Sequence, residues 1–359
     1  MQKQIPFYIK ITATLLGLIA LLAIMYIGQG IIVPLIGSLL IAILLNPVVN
    51  LLVKIKINRV VSIAIILTFV TAIFIFLLLL LTNQFSSFIN SLPILIDKFY
   101  QTLNTSVIGI SNQFNISTAT INSFIDDSKV DLITTTKSLI GPTISSIGGV
   151  IFTFLLIPVY VFLILYYKKL LLDFIKNIFG KGNKTEVNKI LNSTKQIVQR
   201  YLVALIFEAI IIAILNVSAL LILDVQYAII VGIIGALLNV IPYIGGIVST
   251  AIPMAIVLAT KDSFNYALYV LIAFIIIQFI DNNLLLPKLV ASRVRVNALI
   301  SVIVVIIGGE IWGVTGMFLS IPLTAICKTI FDNVITLKPL GLLLGDIEET
   351  DSNTIKDIN

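Results

Sequence analysis

Leu237–Gly246, reading LLNVIPYIGG, interrupts a run from Tyr227 to Thr260 that holds no charged side chain. Asn239, Pro242, Gly245 and Gly246 are poor residues for a continuous helix. Proline removes a backbone donor and clashes with the preceding turn. Glycine leaves the backbone loose and open to close approach. In hydrocarbon, a broken backbone survives only where it is buried in protein or lines a wet cavity. The break is therefore either a structural kink or part of a solute path, and the rest of the chain bears on which.

Of the 359 residues, 59% are apolar and 11% charged, where a soluble domain carries about 25% charge. Ser62–Leu81 and Val150–Tyr167 are apolar runs long enough to cross a core about 30 Å thick. The chain is expected to be an all-α polytopic membrane protein. Its net charge of +6 then reads as topology rather than nucleic-acid binding, because Lys and Arg collect in cytoplasmic loops. The single cysteine, Cys327, lies in an apolar run and is read as packing. It excludes an internal disulfide. The absence of histidine removes the usual metal ligand and neutral-pH proton carrier. No metal or organic cofactor is expected. No nucleophile–base set, metal cluster or phosphate loop occurs, which argues against an enzyme and against a self-contained ATP-driven pump.

Lys3 and Lys10 precede an apolar stretch, Ile11–Ile27, and Gly28-Gln29-Gly30 leads directly into another, about Ile31–Val53. Two membrane helices with an outside turn are expected, the first starting in the cytoplasm. Lys54, Lys56 and Arg59 mark the next inside loop, and a third helix, Val60–Leu81, leads out. Ser86–Thr143 is rich in Ser, Thr and Asn, yet Phe88, Leu92, Leu95, Ile96, Phe99 and Leu103 recur at roughly helical spacing. An external segment of amphipathic helices is expected there, lying on the membrane or on the transmembrane body. A fourth helix, Ile144–Tyr167, carries Pro158, read as a kink. Lys168, Lys169, Lys176, Lys181, Lys184, Lys189, Lys195 and Arg200 follow, against only Asp173 and Glu186. That loop is read as cytoplasmic and in contact with anionic lipid headgroups.

The fifth helix, Tyr201–Leu223, ends outside at Asp224, and the basic cluster Lys288, Arg293 and Arg295 should lie inside. Between them stand the broken run and a clean helix, Phe264–Leu286. If the broken run crossed once, the cluster would land outside. If it enters and returns, the cluster lands inside. Each arm would be about 22 Å, short for a full span. A re-entrant helical hairpin with LLNVIPYIGG at its tip is therefore expected. The pattern recurs: Asn297–Phe331 is apolar but broken by Gly308-Gly309-Glu310-Ile311-Trp312-Gly313-Val314-Thr315-Gly316, with Lys328 and Lys338 after it. The expected fold has about six full transmembrane helices and two oppositely oriented re-entrant hairpins, with second-arm prolines Pro253 and Pro322. Paired interrupted segments in inverted halves point to a transporter's midplane site. The expected organisation is three helices over 1–85, the external segment 86–143, and the fourth helix with its basic loop over 144–200. A transport core over 201–336 and a cytoplasmic tail over 337–359 complete it.

Away from helix ends, the intramembrane ionisable residues are Glu208, Asp281 and Glu310, none with a basic partner in its span. A charge at the bilayer centre costs at least about 2.5–3.5 kcal/mol. Such groups stay protonated, bind a cation or face water. Tyr201 and Glu208 share a helix face, and Gln278, Asp281 and Asn282 fall at i, i+3 and i+4. With Glu310 at the second tip, they are expected to form a polar pocket with the hairpin tips. The plain alternative is interhelical hydrogen bonding that holds the bundle together. Trp312 reads more readily as an interfacial anchor than as a gate.

NVIPYIGG, then QFIDNNLLLPKLV, then GGEIWGVTGMFLSIPLTA, in that order, resemble the autoinducer-two exporter family of bacterial permeases. The resemblance covers essentially the whole chain. It implies secondary transport, with members described as exporters of a furanone-type quorum signal and some as sodium/proton antiporters. It maps the family's break motifs onto Asn239, Pro242, Gly245 and Gly246. Further matches are Gln278, Asn282 and Pro287, and then Gly308, Gly309, Gly313, Gly316 and Pro322. The family often has Glu where this chain has Asp281. The leading expectation is a bacterial plasma-membrane exporter of a small polar solute, coupled to protons or sodium, with both termini cytoplasmic. A sodium/proton antiporter uses the same carboxylates. A non-transporting scaffold with a partner-binding external segment is the third reading. Assembly into a homo-oligomer is compatible with the chain, though no motif specifies it, and no nucleic-acid partner is expected.

Overall fold

The computed structural model describes residues 6–114, 147–179, 184–242, 244–261, 263–291 and 296–345. The second half of the proposed external segment (115–143), Lys181, Tyr243, Arg293, Arg295 and the tail beyond 345 lie outside the described residues. Every described element is helical. In order they are α1 (Phe7–Ile27), α2 (Gln29–Lys54), α3 (Arg59–Phe114), α4 (Ile147–Tyr166), α5 (Lys168–Phe179) and α6 (Lys184–Ile222). Then come α7 (Ala228–Asn239), α8 (Ile244–Thr260), α9 (Asn265–Ile280), a wide π-helical stretch (Asp281–Ala291), α10 (Ala298–Asn333), a short 3-10 turn and α11 (Lys338–Leu344). The protein is an all-α polytopic membrane protein. Among the described residues five helices are long and apolar enough to cross a membrane, and α4, with α5 bent off it by 66° at Tyr167, brings the number up to six. Large apolar side chains such as Phe69, Ile73, Phe76 and Leu79 are exposed along α3. A soluble chain could not leave so much apolar surface in water.

One of the five, α10, is not a straight rod. Trp312 and Gly313 leave helical geometry, and Gly313 has φ +61° and ψ −146°, a region that only glycine enters at little cost. In a straight helix, residues eight apart lie about 12 Å apart. Here a Cβ built on Gly308 would stand 2.6 Å from the Gly316 carbonyl oxygen. The chain has folded back on itself. Its two ends also meet: Asn297 caps the start of α10 through Ile300 N–H (2.9 Å) and donates to the Leu343 and Gly345 carbonyls at 2.8 and 2.9 Å. Gly341 packs against Asp332 at the other end.

The chain divides into two compact units. The first holds residues 1–66, 153–202 and 294–359; the second holds 67–152 and 203–293. In the second, α7 and α8 form an antiparallel hairpin. Ala228, Ile230 and Val231 at the start of α7 share one apolar core with Ile256, Val257 and Ala259 at the end of α8. By length these arms are about 18 and 26 Å. The run Tyr227–Thr260 is thus broken where LLNVIPYIGG predicts.

The third helix does not stop near Leu81 but runs unbroken to Phe114. The apolar spacing after Ser86 has its predicted use: Phe88 and Leu95 are buried in the core at the open end of the α7–α8 hairpin, with Leu92 and Phe99 packed against it. Ser91 and the Tyr227 hydroxyl share a 2.7 Å hydrogen bond, and Thr102 donates to the Leu258 carbonyl at 3.2 Å. The fifth helix also starts earlier than read, at Lys184, because lysine and glutamine are good helix formers in water.

In the first unit, Trp312 donates its indole N–H to the Met25 carbonyl at 2.9 Å. Met25 lies in the last turn of α1, where carbonyls lack an intrahelical partner. Trp312, 9% exposed, thus ties the second hairpin's tip to the end of α1. Cys327, read as packing, is exposed on α10. An apolar face turned to lipid looks the same in sequence as a face turned to a core.

Candidate functional site

The last turn of α7 delivers Asn239 toward α9. Its Oδ1 accepts from Gln278 Nε2 at 2.8 Å, and its Nδ2 donates to Asp281 Oδ2 at 2.8 Å. Only one amide orientation satisfies both partners, since a carboxylate cannot donate. Beyond Asn239 the chain turns through Val240–Pro242, and Gly245 N–H bonds back to the Ile241 carbonyl at 2.9 Å. Close approach sets the residues that follow. A Cβ on Gly245 would stand 2.6 Å from Asn239 Cα, and one on Gly246 would stand 2.8 Å from Gln278 Oε1. Bulk at Gly245 would push α8 off the last turn of α7, and bulk at Gly246 would push the tip away from α9. Pro242 sits half-buried in the turn.

Glu208, from the middle of α6, completes the group. It and Asp281 are 3% and 4% exposed, with their carboxyls within hydrogen-bonding reach of each other. Glu208 Oε2 and Asp281 Oδ1 are buried without a hydrogen-bond partner. Among the described residues no basic side chain acts on either group. Two carboxylates this close in a low-dielectric interior cannot both stay charged unless a cation balances them, the proton being the smallest. The chain Gln278–Asn239–Asp281–Glu208 therefore links a cation-seeking pair directly to a hairpin tip.

Glu208, Asn239, Gln278 and Asp281 are thus brought together as read. Asn282 is not: it is exposed. The helix widens from α to π geometry at Asp281, so the i+4 spacing that placed Asn282 beside Gln278 no longer holds. In the first unit, Gly308 and Gly316 abut, and a Cβ on Gly309 would meet Met317 Cε at 2.7 Å. Gly313 makes the tip. Glu310 is exposed, before the tip of that hairpin. Sequence reading missed Asn216, which is 1% exposed. Its Nδ2 contacts the Gly232 carbonyl at 3.4 Å, and its Oδ1 has no partner. Glu208, Ile212 and Asn216 recur every four residues on one face of α6, a spacing that could have disclosed it.

The sequence profile described as AI-2E family transporter matches residues 15–336. The AI-2 transport protein TqsA of Escherichia coli K12 is 27% identical over 347 residues, spanning 95% of this chain and 97% of TqsA. YueF of Bacillus subtilis is 28% identical over 308 residues, 81% of each chain. YhhT of Escherichia coli K12 is 26% identical over 336 residues, 92% of this chain and 93% of its own. Both carry provisional names as transport proteins.

Proposed function

Because the chain belongs to the AI-2E family of membrane transporters, we propose that it is a secondary transporter of a small polar solute, driven by a proton or sodium gradient. The observation that carries the coupling is the Glu208–Asp281 pair, each with an unpartnered buried oxygen. Filling the pair with a proton or sodium ion changes the charge on Asp281, which Asn239 grips from the hairpin tip. Release of the cation then alters the hold on that tip. Differential binding of this sort is what lets an ion bias two conformations. The name of TqsA supports an autoinducer-two-like solute, and the resemblance supports export. Lysines at the ends of α2 and the start of α5 support cytoplasmic placement of those ends, and with them of both termini, in a bacterial plasma membrane.

The test uses purified protein in proteoliposomes with an internal pH dye. Asp281→Asn and Glu208→Gln should each reduce gradient-driven flux to the background of empty vesicles while keeping the wild-type melting temperature. Undiminished flux in both variants rejects the coupling role, and a wild type no different from empty vesicles favours a scaffold. A second reading, a sodium/proton antiporter with no organic substrate, is favoured by a pair that needs nothing larger than a cation. Sodium-driven proton movement without added solute would select it.

The re-entrant orientation has its own test in cysteine labelling at Tyr243 and Ile311. Water should reach the two positions from opposite sides of the membrane. Labelling of both from one side rejects the inverted arrangement.

A further inference from the structure

The inner ends of α2, α3 and α4 carry a group of polar residues that transport does not use. Lys168, at the bend after α4, donates to Asn46 Oδ1 at 2.9 Å. Arg59 donates through Nε and Nη2 to the Leu165 carbonyl, at 3.3 and 2.9 Å. This holds its guanidinium one helical turn from Lys168. Lys195 on α6 lies close enough for its charge to act on Lys168, and no carboxylate acts there. Burial, then the charges of Lys195 and Arg59, lower the pKa of Lys168. These cations therefore gather with nothing among the described residues to balance them.

Asn46 supplies the independent sign of a ligand. It is 3% exposed. Its Oδ1 is occupied by Lys168, which can only donate, so its Nδ2 is the free donor beside that ammonium. That Nδ2 is buried without a partner. A buried donor next to uncompensated positive charge fits an acceptor-rich anion.

We propose that Asn46, Arg59, Lys168 and Lys195 bind one phosphate group, supplied by the headgroup of an anionic phospholipid. The lipid source follows from α5. It has no buried residue, and Leu170, Leu171, Phe174 and Ile178 are exposed along one face. Lys169, Asp173 and Lys176 lie on the other. It leaves α4 at 66°. A short amphipathic helix bent off a spanning helix lies in the interface, at the depth of lipid phosphates. The general expectation of lipid contact along the basic loop thereby narrows to four side chains at one bend.

Native mass spectrometry of the full chain, titrated with phosphatidylglycerol or phosphatidylcholine, tests this. Wild type should retain phosphatidylglycerol in preference to phosphatidylcholine. Lys168→Gln and Lys195→Gln should each weaken that retention about fivefold, whereas Lys176→Gln, outside the group, should leave it unchanged. Lys195 has no hydrogen-bond or ion-pair partner among the described residues, so its variant remains informative if Lys168→Gln misfolds. Equal retention by wild type and both variants overturns the site. Complete displacement of the lipid by millimolar inorganic phosphate overturns the lipid assignment in favour of a soluble anion.

Discussion

The two hairpins reach the same shape by different means. The first turns through several residues after Asn239, and its tip is polar, wired to Gln278 and Asp281. The second turns at Gly313, and its arms close on small residues, with Gly308 against Gly316 and Ser320. Among the described residues its polar tether is the Trp312 indole on the α1 carbonyl. The first tip can therefore respond to a cation, because its hold depends on the charge of a carboxyl. The second is held by van der Waals contact and a neutral hydrogen bond, which are indifferent to ions, and Glu310 beside its tip is exposed. The lesson is that a shared break pattern does not imply a shared task.

The strongest way to break this contrast is Gly316→Leu. A side chain there meets the Gly308 backbone, which has no rotamer to yield. A loss of at least about 3 kcal/mol is expected, seen as failed expression or a melting temperature far below wild type. Next comes Asn239→Leu, which strands the Gln278 amide and one Asp281 oxygen. About 1–3 kcal/mol of stability should go, and flux should lose its dependence on the driving cation. If the variant folds and stays fully coupled, the wiring of the first tip is not how coupling works.

Gly313→Ala puts a Cβ at positive φ and should cost about 1–3 kcal/mol in chemical denaturation, with coupling intact in whatever protein folds. Trp312→Phe keeps the ring but leaves the Met25 carbonyl unpaired. About 0.5–1.5 kcal/mol should be lost, again without effect on ion dependence. The smallest effect belongs to the exposed pair Asp224–Lys261, 2.6 Å apart at the open end of the first hairpin. The Lys261 hydrogen bond and charge hold the Asp224 carboxyl below its usual range. A depressed carboxyl pKa gives stability that is present above the unfolded value and fades as pH falls through the folded one. Lys261→Gln should abolish that acid-side slope by lowering the melting temperature slightly at neutral pH, with wild type and variant converging in acid.

Much of this was legible in the residues themselves. Uncharged apolar runs announced the spans, and proline and glycine in LLNVIPYIGG announced the first break. The second break was legible too: Gly308 and Gly316, eight residues apart, flank Gly313, where the backbone leaves helical geometry. The apolar spacing from Phe88 to Phe99 correctly indicated a docked face, but the helix was expected to stop near Leu81. Serine and threonine lower helix propensity only slightly, and docking on the hairpin outweighs that. Asn282 was misread because the period changed at Asp281. Lys168 and Asn46, 122 residues apart, could not be paired by any local rule.

The sequence by itself determined that the chain lives in a membrane, that its backbone breaks twice there, and that unpaired carboxylates sit inside. Those are properties of composition and of local backbone chemistry, which need no partner to act. Only the tertiary structure decided that Glu208 meets Asp281, that Asn239 ties the pair to a hairpin tip, and that Trp312 fastens the other tip to α1. Those contacts join side chains far apart in the chain, and they depend on where separate helices come to rest.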